Sequence, residues 1–252
     1  MARDWDHVLG GFAVAPAALL ARREMQRRAE SKFVMPAAAA VALLPALERD
    51  YAVLPAGAAL VATYRTLYFD TAGLALFHAH RCGRRIRHKV RIRHYPDRSV
   101  SFLEVKTRLG DELMTKARRP REYGDSELTP DDVAFVRVHA AVGEDLLPQA
   151  WTDFRRVTLL GTEIDERVTV DLDLRVMAAG RTESLAGLAV VEVKQPRRDR
   201  GSVAMEALRT AGWREGWGSK YCVGIALTRP EVRSHRLGPE LRALREVVGC
   251  SR

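Results

Sequence analysis

Residues 84–95 read RRIRHKVRIRHY, and basic side chains occupy alternate positions along this run. One parity of the run has cations at five successive positions, namely Arg85, Arg87, Lys89, Arg91 and Arg93. Because successive side chains of a β-strand point to opposite faces, this spacing predicts a strand with one strongly basic face. Pro96-Asp97-Arg98 is typical of a turn, and residues 100–107 alternate again. The two runs therefore predict an antiparallel hairpin.

Lysine is rare in this chain and is concentrated in segments of this kind. Of 41 basic residues only six are lysine: Lys32, Lys89, Lys106, Lys116, Lys194 and Lys220. Five of them share a predicted strand face with another charged residue, in the patterns Glu30-x-Lys32, Lys89-x-Arg91, Glu104-x-Lys106, Lys116-x-Arg118 and Glu192-x-Lys194. Arginine has a planar guanidinium group with several N–H donors, whereas lysine has a compact ammonium group suited to a single phosphate oxygen. We therefore expect the chemistry of the protein to lie on these faces.

The rest of the chain continues the pattern. Further strands are predicted at about 62–69, 152–160, 167–176, 188–194 and 220–227, and helices at about 15–27, 36–50, 129–142, 202–211 and 230–248. One strand of alternating polarity usually belongs to a half-solvated sheet. Here the pattern recurs on nearly every strand, and cations spaced by about 6.6 to 7 Å on one face would repel one another unless an anion or a carboxylate faced them. The opposite faces are apolar and need helices to cover them. The pattern predicts an α+β fold, a closed antiparallel β-barrel with a basic lumen and a cover of helices.

The composition restricts the partner and the compartment. The chain has 252 residues, 47% of them hydrophobic, and a formal net charge of +9, which is typical of a folded protein with an anionic partner. The cations alternate into one face without an aromatic stacking surface, which disfavours nucleic acid. Three cysteines without paired spacing favour a reducing compartment. The apolar run at residues 8–21 is too short to span a bilayer, and its leader MARDWDH is too acidic for a secretion signal, so we expect a cytoplasmic protein without a membrane span.

Seven short segments occur in an order that resembles a known family: RAESKF (28–33), YRTLYFDT (64–71), KVRIRHY (89–95), LEVK (103–106), ERVTVD (166–171), VEVK (191–194) and SKYC (219–222). Together they resemble the VTC domain, the catalytic domain of the vacuolar transporter chaperone polyphosphate polymerase, in its stand-alone bacterial form. The resemblance covers residues 28–229 and implies the fold of the triphosphate tunnel metalloenzymes, an antiparallel barrel around a basic tunnel. Residues 1–27 would form an N-terminal helical segment, and residues 230–252 a C-terminal helix packed on the same domain.

The resemblance also implies roles for individual residues. The cations that would hold phosphates in the tunnel are Lys32, Lys89, Arg91, Arg93, Lys106, Arg156, Arg167, Lys194 and Lys220. Of these, Lys220 resembles a lysine near the tunnel mouth. Glu192 resembles the metal-binding glutamate of the late strand, and Glu30 is the second candidate ligand for Mn²⁺ or Mg²⁺. Arg155 is expected to point outward, because it neighbours Arg156 on a regular strand.

The opening motif departs from the wider superfamily at its first position. The superfamily motif is Glu-x-Glu-x-Lys, whereas this chain has Arg28, Glu30 and Lys32. The change removes a potential metal ligand, disfavours two-glutamate triphosphatase chemistry and favours the polymerase branch. The leading interpretation is a metal-dependent polyphosphate polymerase that transfers the γ-phosphate of ATP to a growing chain. A triphosphatase or polyphosphatase and a non-catalytic polyphosphate-binding module remain alternatives. The expected partners are ATP, polyphosphate or inorganic phosphate, together with a separate membrane protein if the product is translocated.

Overall fold

A computed structural model describes residues 5–22, 29–110, 113–143, 145–216 and 218–249. The strands within these ranges are β1 (Ala13–Val14), β2 (Ala29–Pro36), β3 (Tyr51–Val53), β4 (Ala62–Asp70), β5 (Ile86–Tyr95), β6 (Val100–Leu109), β7 (Leu113–Arg121), β8 (Leu147–Gly161), β9 (Arg167–Ala178) and β10 (Arg181–Gln195). The α-helices are α1 (Trp5–Leu9), α2 (Ala17–Arg22), α3 (Ala37–Leu43), α4 (Ala75–Arg81), α5 (Pro130–His139), α6 (Val203–Thr210), α7 (Lys220–Thr228) and α8 (Gly238–Gly249). Within the same ranges no helix is long and apolar enough to cross a membrane.

The strands form one sheet whose main order is β2-β10-β9-β8-β4-β5-β6-β7, with antiparallel neighbours. β3 adds to β8 in antiparallel orientation, and β1 adds to β3 in parallel. The hairpin predicted from the basic alternation is β5–β6, and its register places Lys89 opposite Lys106 and Arg91 opposite Glu104. Side chains directly opposite each other share one face of the sheet, so the charges of the two strands meet there.

The closed barrel expected from the sequence is not confirmed. Within the described residues β2 pairs only with β10 and β7 only with β6, so hydrogen bonds do not close the sheet. The sheet nevertheless curls. This is shown by Nζ of Lys106 on β6, which lies 3.5 Å from Oε1 of Glu30 on β2. Strands near opposite ends of the order thus bring their side chains together across a concave face. Alternation in sequence predicts which side chains share a face, but it does not specify the tilt and stagger that decide whether a sheet closes.

Helices cover the convex face of the sheet. Val191 of β10 is buried with Ala40 of α3 and Leu208 of α6 in one apolar cluster. Val90 of β5 is buried with Val136 of α5 in another. These apolar residues alternate with the charged positions along their strands. Their burial under helices therefore fixes the charged parity on the concave face, because a slip of one residue would exchange the two faces.

Two predicted helix starts are confirmed. Thr129 precedes α5 and forms a capping box, in which its side chain accepts from the Asp132 amide and the Asp132 side chain accepts from the Thr129 amide. Pro130 occupies the first turn, where its missing N–H costs no hydrogen bond. Ser202 precedes α6, and its side chain accepts a hydrogen bond from the Met205 amide. Such side-chain caps satisfy amides that have no partner within the helix.

The prediction of a final strand at residues 220–227 is wrong, because this segment is the helix α7. Its buried residues lie on all sides: Tyr221, Cys222, Val223, Gly224, Ile225 and Thr228. α7 packs on the concave side at one end of the sheet, where Val223 is buried with Phe154 and Val176. At Gly224 an added Cβ would lie 2.6 Å from Cγ1 of Val176, so only glycine permits this close packing. A helix buried on all sides has no amphipathic period, and a short apolar run cannot be assigned to helix or strand from periodicity alone.

Other element boundaries differ from the predictions. The strands expected at 62–69, 152–160, 167–176 and 188–194 are present as the longer β4, β8, β9 and β10. The helix expected at 36–50 is α3 followed by a 3-10 turn, and β3 follows it without a signal in the sequence. The helix expected at 230–248 is the shorter α8. The helix expected at 15–27 includes α2, and residues 23–28 lie outside the described residues. The N-terminal segment also contributes β1 to the sheet.

Candidate phosphate-binding site

The concave face of the sheet encloses a cavity of about 730 Å³. The structure places every site cation predicted from the sequence on its wall: Lys32, Lys89, Arg91, Arg93, Lys106, Arg156, Arg167, Lys194 and Lys220. The two predicted metal ligands, Glu30 and Glu192, lie there as well. Lys116 completes the set, so all six lysines of the chain line the same cavity. That these side chains bind phosphate stays a prediction.

Two cations of the alternating run lie away from the cavity wall. Arg85 precedes β5 and is exposed. Arg87 lies near the start of β5 and donates a hydrogen bond to the carbonyl of Arg84 at 2.8 Å. The basic alternation in the sequence therefore extends beyond the part of the strand that faces the cavity.

The carboxylates of Glu30 and Glu192 meet three lysines at one end of the cavity. Nζ of Lys32 lies 3.4 Å from Oε2 of Glu30 and 3.5 Å from Oε1 of Glu192. Nζ of Lys194 lies 2.9 Å from Oε2 of Glu192, and Lys106 approaches Glu30 from β6. Burial and the charge of Glu192 would raise the pKa of Glu30, but Lys106, Lys32 and Lys194 outweigh them and lower it to about 2. Both carboxylates are therefore ionised at neutral pH.

Burial has the opposite consequence for two of these lysines. It lowers the pKa of Lys106 to about 7, although Glu30 opposes the shift. It lowers the pKa of Lys194 to about 7, although Glu192 opposes the shift. Both ammonium groups are thus close to losing their protons in the free protein, and an additional anion nearby would favour the charged form.

Glu104 holds two further cations in place from behind the wall. Its carboxylate is 1% exposed and accepts hydrogen bonds from Nε and Nη2 of Arg91 at 2.8 and 2.6 Å. Lys116 makes a salt bridge to the other carboxylate oxygen. Burial would raise the pKa of Glu104, but Arg91, Arg93 and Lys116 lower it. The guanidinium of Arg91 is thereby fixed, and its third nitrogen, Nη1, donates to the hydroxyl of Tyr68.

Asp171 has the same function for Arg156 and Lys220. It is 1% exposed, and its Oδ2 accepts a hydrogen bond from Nη2 of Arg156 at 2.7 Å. Nζ of Lys220 also donates to Asp171. Burial would raise the pKa of Asp171, but Arg156 and Lys220 lower it. Arg155, the neighbour of Arg156, pairs with Asp173 at 2.7 Å on an exposed part of the surface.

Lys89 differs from the other lysines of the wall. Among the described residues no carboxylate lies within salt-bridge distance of its ammonium group, and burial lowers its pKa to about 8. Arg93, four residues further along β5, is instead surrounded by aromatic rings. Its guanidinium carbon lies 5.2 Å from the ring centre of Tyr64 and 5.8 Å from that of Phe154. A phosphate group in the cavity would supply the negative charge that Lys89 lacks.

The helix α7 adds a further anion-attracting group to the wall. Gly218, Ser219 and Lys220, at its N-terminus, line the cavity. The first amides of a helix have no partner within the helix, and its dipole favours negative charge at this end. The Ser219 side chain makes no capping hydrogen bond to these amides. This end of the helix can therefore supply additional donors for phosphate oxygens, which the strand expected from the sequence would not provide.

A family model for the VTC domain matches residues 27–229. The chain belongs to the VTC domain family. The match includes the eight strands of the main sheet order and α7, and it confirms the resemblance drawn from the sequence motifs at the level of the family. A comparison with curated proteins gives no match.

Solved structures similar to this VTC domain include three of comparable size. One is a candidate adenylyl cyclase from Hippeastrum, described as having a dominant triphosphatase activity, with 18% identity and a TM-score of 0.49 over 80% of this chain and 96% of that one. The second is a candidate adenylate cyclase from Bacillus halodurans, with 13% identity and a TM-score of 0.44 over 76% and 94%. The third is a conserved hypothetical protein from Pyrococcus furiosus, with 15% identity and a TM-score of 0.44 over 79% and 99%. At these identities and scores the likeness says nothing about the chemistry of this chain.

Glu30 and Glu192 can hold a divalent cation together with phosphate oxygens. They lie on adjacent strands, two residues apart in register, because Glu192 lies opposite Lys32 and Glu30 lies opposite Lys194. They are close enough for Glu192 to oppose ionisation of Glu30. Mg²⁺ is usually held by one or two carboxylates and completed by substrate phosphates and water. In the part of the chain that the structure describes, no group of three or more His, Cys, Asp or Glu side chains could hold a metal ion. The pair therefore fits a site that the substrate completes.

Four charged residues of the site are not among those predicted from the sequence: Glu104, Lys116, Arg118 and Asp171. A signal was present for each. Glu104 has the parity of Lys106 on β6, Lys116 and Arg118 share a parity on β7, and Asp171 has the parity of Arg167 on β9. A rule that every charged residue of the inward parity belongs to the site would have found all four. Arg28, the departure from the superfamily motif, lies outside the described residues.

Proposed function

We propose that this VTC domain is a metal-dependent polyphosphate polymerase that transfers the γ-phosphate of ATP to the end of a polyphosphate chain. The observation that carries the proposal is the imbalance of charge in the cavity, where eleven cations and two carboxylates of the described residues form the wall. Cations distributed over a whole cavity suit several phosphate groups in succession, because each group has its own charge to neutralise.

A phosphate acceptor fits this wall better than water does. Hydrolysis is assisted by a group that takes a proton from water. Of the described residues, no histidine lines the cavity, and Glu30 and Glu192 are each engaged by lysines. The terminal oxygen of a polyphosphate chain is already ionised and needs no base. Its transfer chemistry depends on positioning and on stabilisation of charge, which this wall provides.

Each group of cations has a distinct part in the proposed reaction. Lys32, Lys106 and Lys194 would hold the reacting phosphate beside Glu30 and Glu192. The same two carboxylates would hold Mn²⁺ or Mg²⁺, which supplies neutralisation of charge on the phosphate oxygens when bound.

The buried carboxylates behind the wall would orient the remaining cations. Glu104 fixes Arg91, and Asp171 fixes Arg156 and Lys220, so these donors are positioned before the substrate arrives. Donors that need no reorganisation stabilise developing charge most effectively.

The proposal includes enclosure of the substrate as in a tunnel. Its support is the approach of β6 to β2 at Lys106 and Glu30, across the gap that hydrogen bonds leave open. We also infer a cytoplasmic location, from cysteines that remain unpaired at Cys82 and Cys222. The product would remain there or pass to a separate membrane protein.

A paired substitution tests the proposal. The purified protein is incubated with ATP, tripolyphosphate as acceptor, and Mn²⁺ or Mg²⁺, and the products are separated by gel and assigned by ³¹P NMR, which distinguishes internal from terminal phosphates. We expect polymer from the parent protein, a loss of about 100-fold in Arg156→Ala, and near-parent synthesis in Arg155→Ala, whose side chain points away from the cavity.

Two other results would replace the proposal with one of its alternatives. Release of free phosphate without polymer, with the same dependence on Arg156, would assign the cavity to hydrolysis. Binding of tripolyphosphate without any turnover, in the presence of either metal, would assign it to a binding module.

A further inference from the structure

Tyr68 is an unusual side chain in the wall of the cavity. It lies on β4 directly opposite Arg91 in register, and it is 3% exposed. Its ring stacks on Tyr221 of α7, with ring centres 5.0 Å apart. Tyr68 nevertheless lines the cavity. The ring is therefore held from behind while the phenol remains on the side that a substrate would occupy.

The hydroxyl of Tyr68 receives a hydrogen bond and donates none to the residues that the structure describes. Nη1 of Arg91 donates to it at 3.4 Å. Among the described residues no acceptor is found for its own proton. Two other buried tyrosines are different, since the hydroxyl of Tyr221 donates to Asp70 at 2.7 Å and that of Tyr51 donates to Glu166. Of these three phenols, Tyr68 is the one that lacks a carboxylate partner.

The charges around Tyr68 favour its ionised form. Burial would raise the pKa of this phenol, but Arg91, Arg93 and Lys220 outweigh burial and lower it. Burial and Asp70 instead raise the pKa of the neighbouring Tyr221. A phenol that ionises more readily is a better nucleophile at neutral pH. Three cations placed around it would also accommodate a dianionic product.

We propose that Tyr68 is a self-phosphorylation site, whose hydroxyl accepts the γ-phosphoryl group of ATP and provides the first phosphate of the polyphosphate chain. This inference rests on the proposed function and supplies its missing primer. The Oη of Tyr68 forms a bond to the γ-phosphorus, the bond from that phosphorus to the β,γ-bridging oxygen breaks, and its electron pair leaves with ADP. The phenolic proton passes to solvent. A terminal oxygen of the phosphotyrosine then attacks the next ATP in the same way.

The surroundings suit the product as well as the nucleophile. A phosphotyrosine carries a charge of about −1.5 to −2 at neutral pH and three strong acceptor oxygens. Arg91 already reaches the hydroxyl, and its position is fixed by Glu104. Lys220 is adjacent in sequence to Tyr221, on which the Tyr68 ring is stacked. The phosphorylated side chain would thus find cations in place without a change in the fold.

The test is a search for the covalent product. The full chain is incubated with ATP and Mn²⁺, denatured, treated with alkali to remove labile phosphate, and digested with trypsin. The peptide 66–81 contains Tyr68 as its one tyrosine. We expect it to gain the mass of one or more phosphoryl groups, assigned to Tyr68 by fragmentation, and we expect no such gain in Tyr68→Phe. Tyr51→Phe, which removes a buried phenol away from the cavity, should retain the modification.

Synthesis assays then separate priming from elongation. With ATP alone, Tyr68→Phe should lose polymer formation by about tenfold or more, whereas added tripolyphosphate should reduce its deficit relative to the parent, because an acceptor from solution bypasses the priming step. Two results would overturn the inference. One is polymer formation from ATP alone in a parent protein whose Tyr68 carries no phosphoryl group, and the other is unchanged synthesis from ATP alone in Tyr68→Phe.

The two proposals fail in distinguishable ways. If the parent elongates tripolyphosphate but Tyr68 carries no phosphate, the polymerase stands and the priming role falls. If no polymer forms under any condition, the proposed function falls, and the peptide alone decides whether Tyr68 accepts a phosphoryl group. The peptide measurement uses the parent protein, so it holds even where the Tyr68→Phe variant fails to fold.

Discussion

Binding of polyphosphate to this cavity should weaken as the pH rises, and Lys89 should account for a defined share of the loss. In the free protein burial lowers the pKa of Lys89 to about 8, and no carboxylate of the described residues pairs with it. Phosphate oxygens beside the ammonium group raise its pKa in the complex. A group whose pKa is higher in the complex contributes its full binding energy below its free value and loses it as the pH rises through that value.

The size of the effect follows from the free pKa. Lys89 is mostly charged at about pH 7 and mostly neutral at about pH 9, so binding at the higher pH must first return the proton, which costs about tenfold in affinity. Lys106 and Lys194, whose pKa values are about 7, contribute in the same direction. Tripolyphosphate also titrates in this range, so the parent protein alone does not isolate Lys89.

Lys89→Arg provides the matched control, because an arginine stays charged across the whole range. The affinity for tripolyphosphate is measured by titration calorimetry for both proteins at several pH values. The ratio of the parent affinity to that of Lys89→Arg cancels the titration of the ligand, and it should fall about tenfold between about pH 7 and about pH 9. Calorimetry in two buffers of different ionisation heat should show less proton uptake in the variant. A ratio that stays constant with pH would refute the placement of Lys89 against phosphate.

Three further predictions concern carboxylates and the mouth lysine. Glu192→Gln should lose metal-dependent turnover and keep its fold, as judged by circular dichroism, because the amide preserves shape and removes the charge that holds a cation; parent-level ATP consumption would contradict this. Lys220→Ala should shorten the polymer more than it weakens ATP binding, since the remaining wall cations still hold the nucleotide, and equal losses in product length and affinity would count against an acceptor role. Glu104→Gln should lower the free energy of unfolding by about 3 kcal/mol, because Arg91 and Lys116 lose their buried partner. In denaturant unfolding, tripolyphosphate should restore part of the stability that the Glu104→Gln variant loses. A variant whose unfolding midpoint without ligand equals that of the parent would exclude a stabilising role for Glu104.

The parity of the site residues was predictable from the sequence because burial dictates it. On β10 the apolar Val191 and Val193 alternate with Glu192 and Lys194. Helices bury the first pair on the convex face, so the second pair must project to the concave face. No knowledge of the neighbouring strands is needed for this step. The same reasoning applies to the predicted cations that lie on strands, but not to Lys220, which lies on α7.

Contacts between strands were not predictable in the same way. Whether Lys106 meets Glu30 depends on the curl of the sheet, and whether Arg91 meets Glu104 depends on the register of a hairpin. Neither is encoded in the alternation of one segment. The buried partners Glu104 and Asp171 were therefore absent from the predicted site, although they fix several of its cations.

The helix α7 was mistaken for a strand for a different reason. Its surroundings on the concave side are apolar, and it is therefore apolar on every side itself. Burial on all sides removes the periodic signal that distinguishes helix from strand. The N-terminus of this helix lines the cavity, so the strand prediction missed one element of the cavity wall.

The confinement of every lysine to one cavity makes amine chemistry selective for the interior of this protein. Acylating reagents that attack amines would find no lysine outside the cavity. The one other amine would be the α-amino group of the chain. The rate of their reaction would report whether the cavity is occupied, because a bound polyanion keeps the amines protonated and covered. Attachment to a solid support through amines would block the cavity, whereas attachment through the exposed thiol of Cys82 would leave it open.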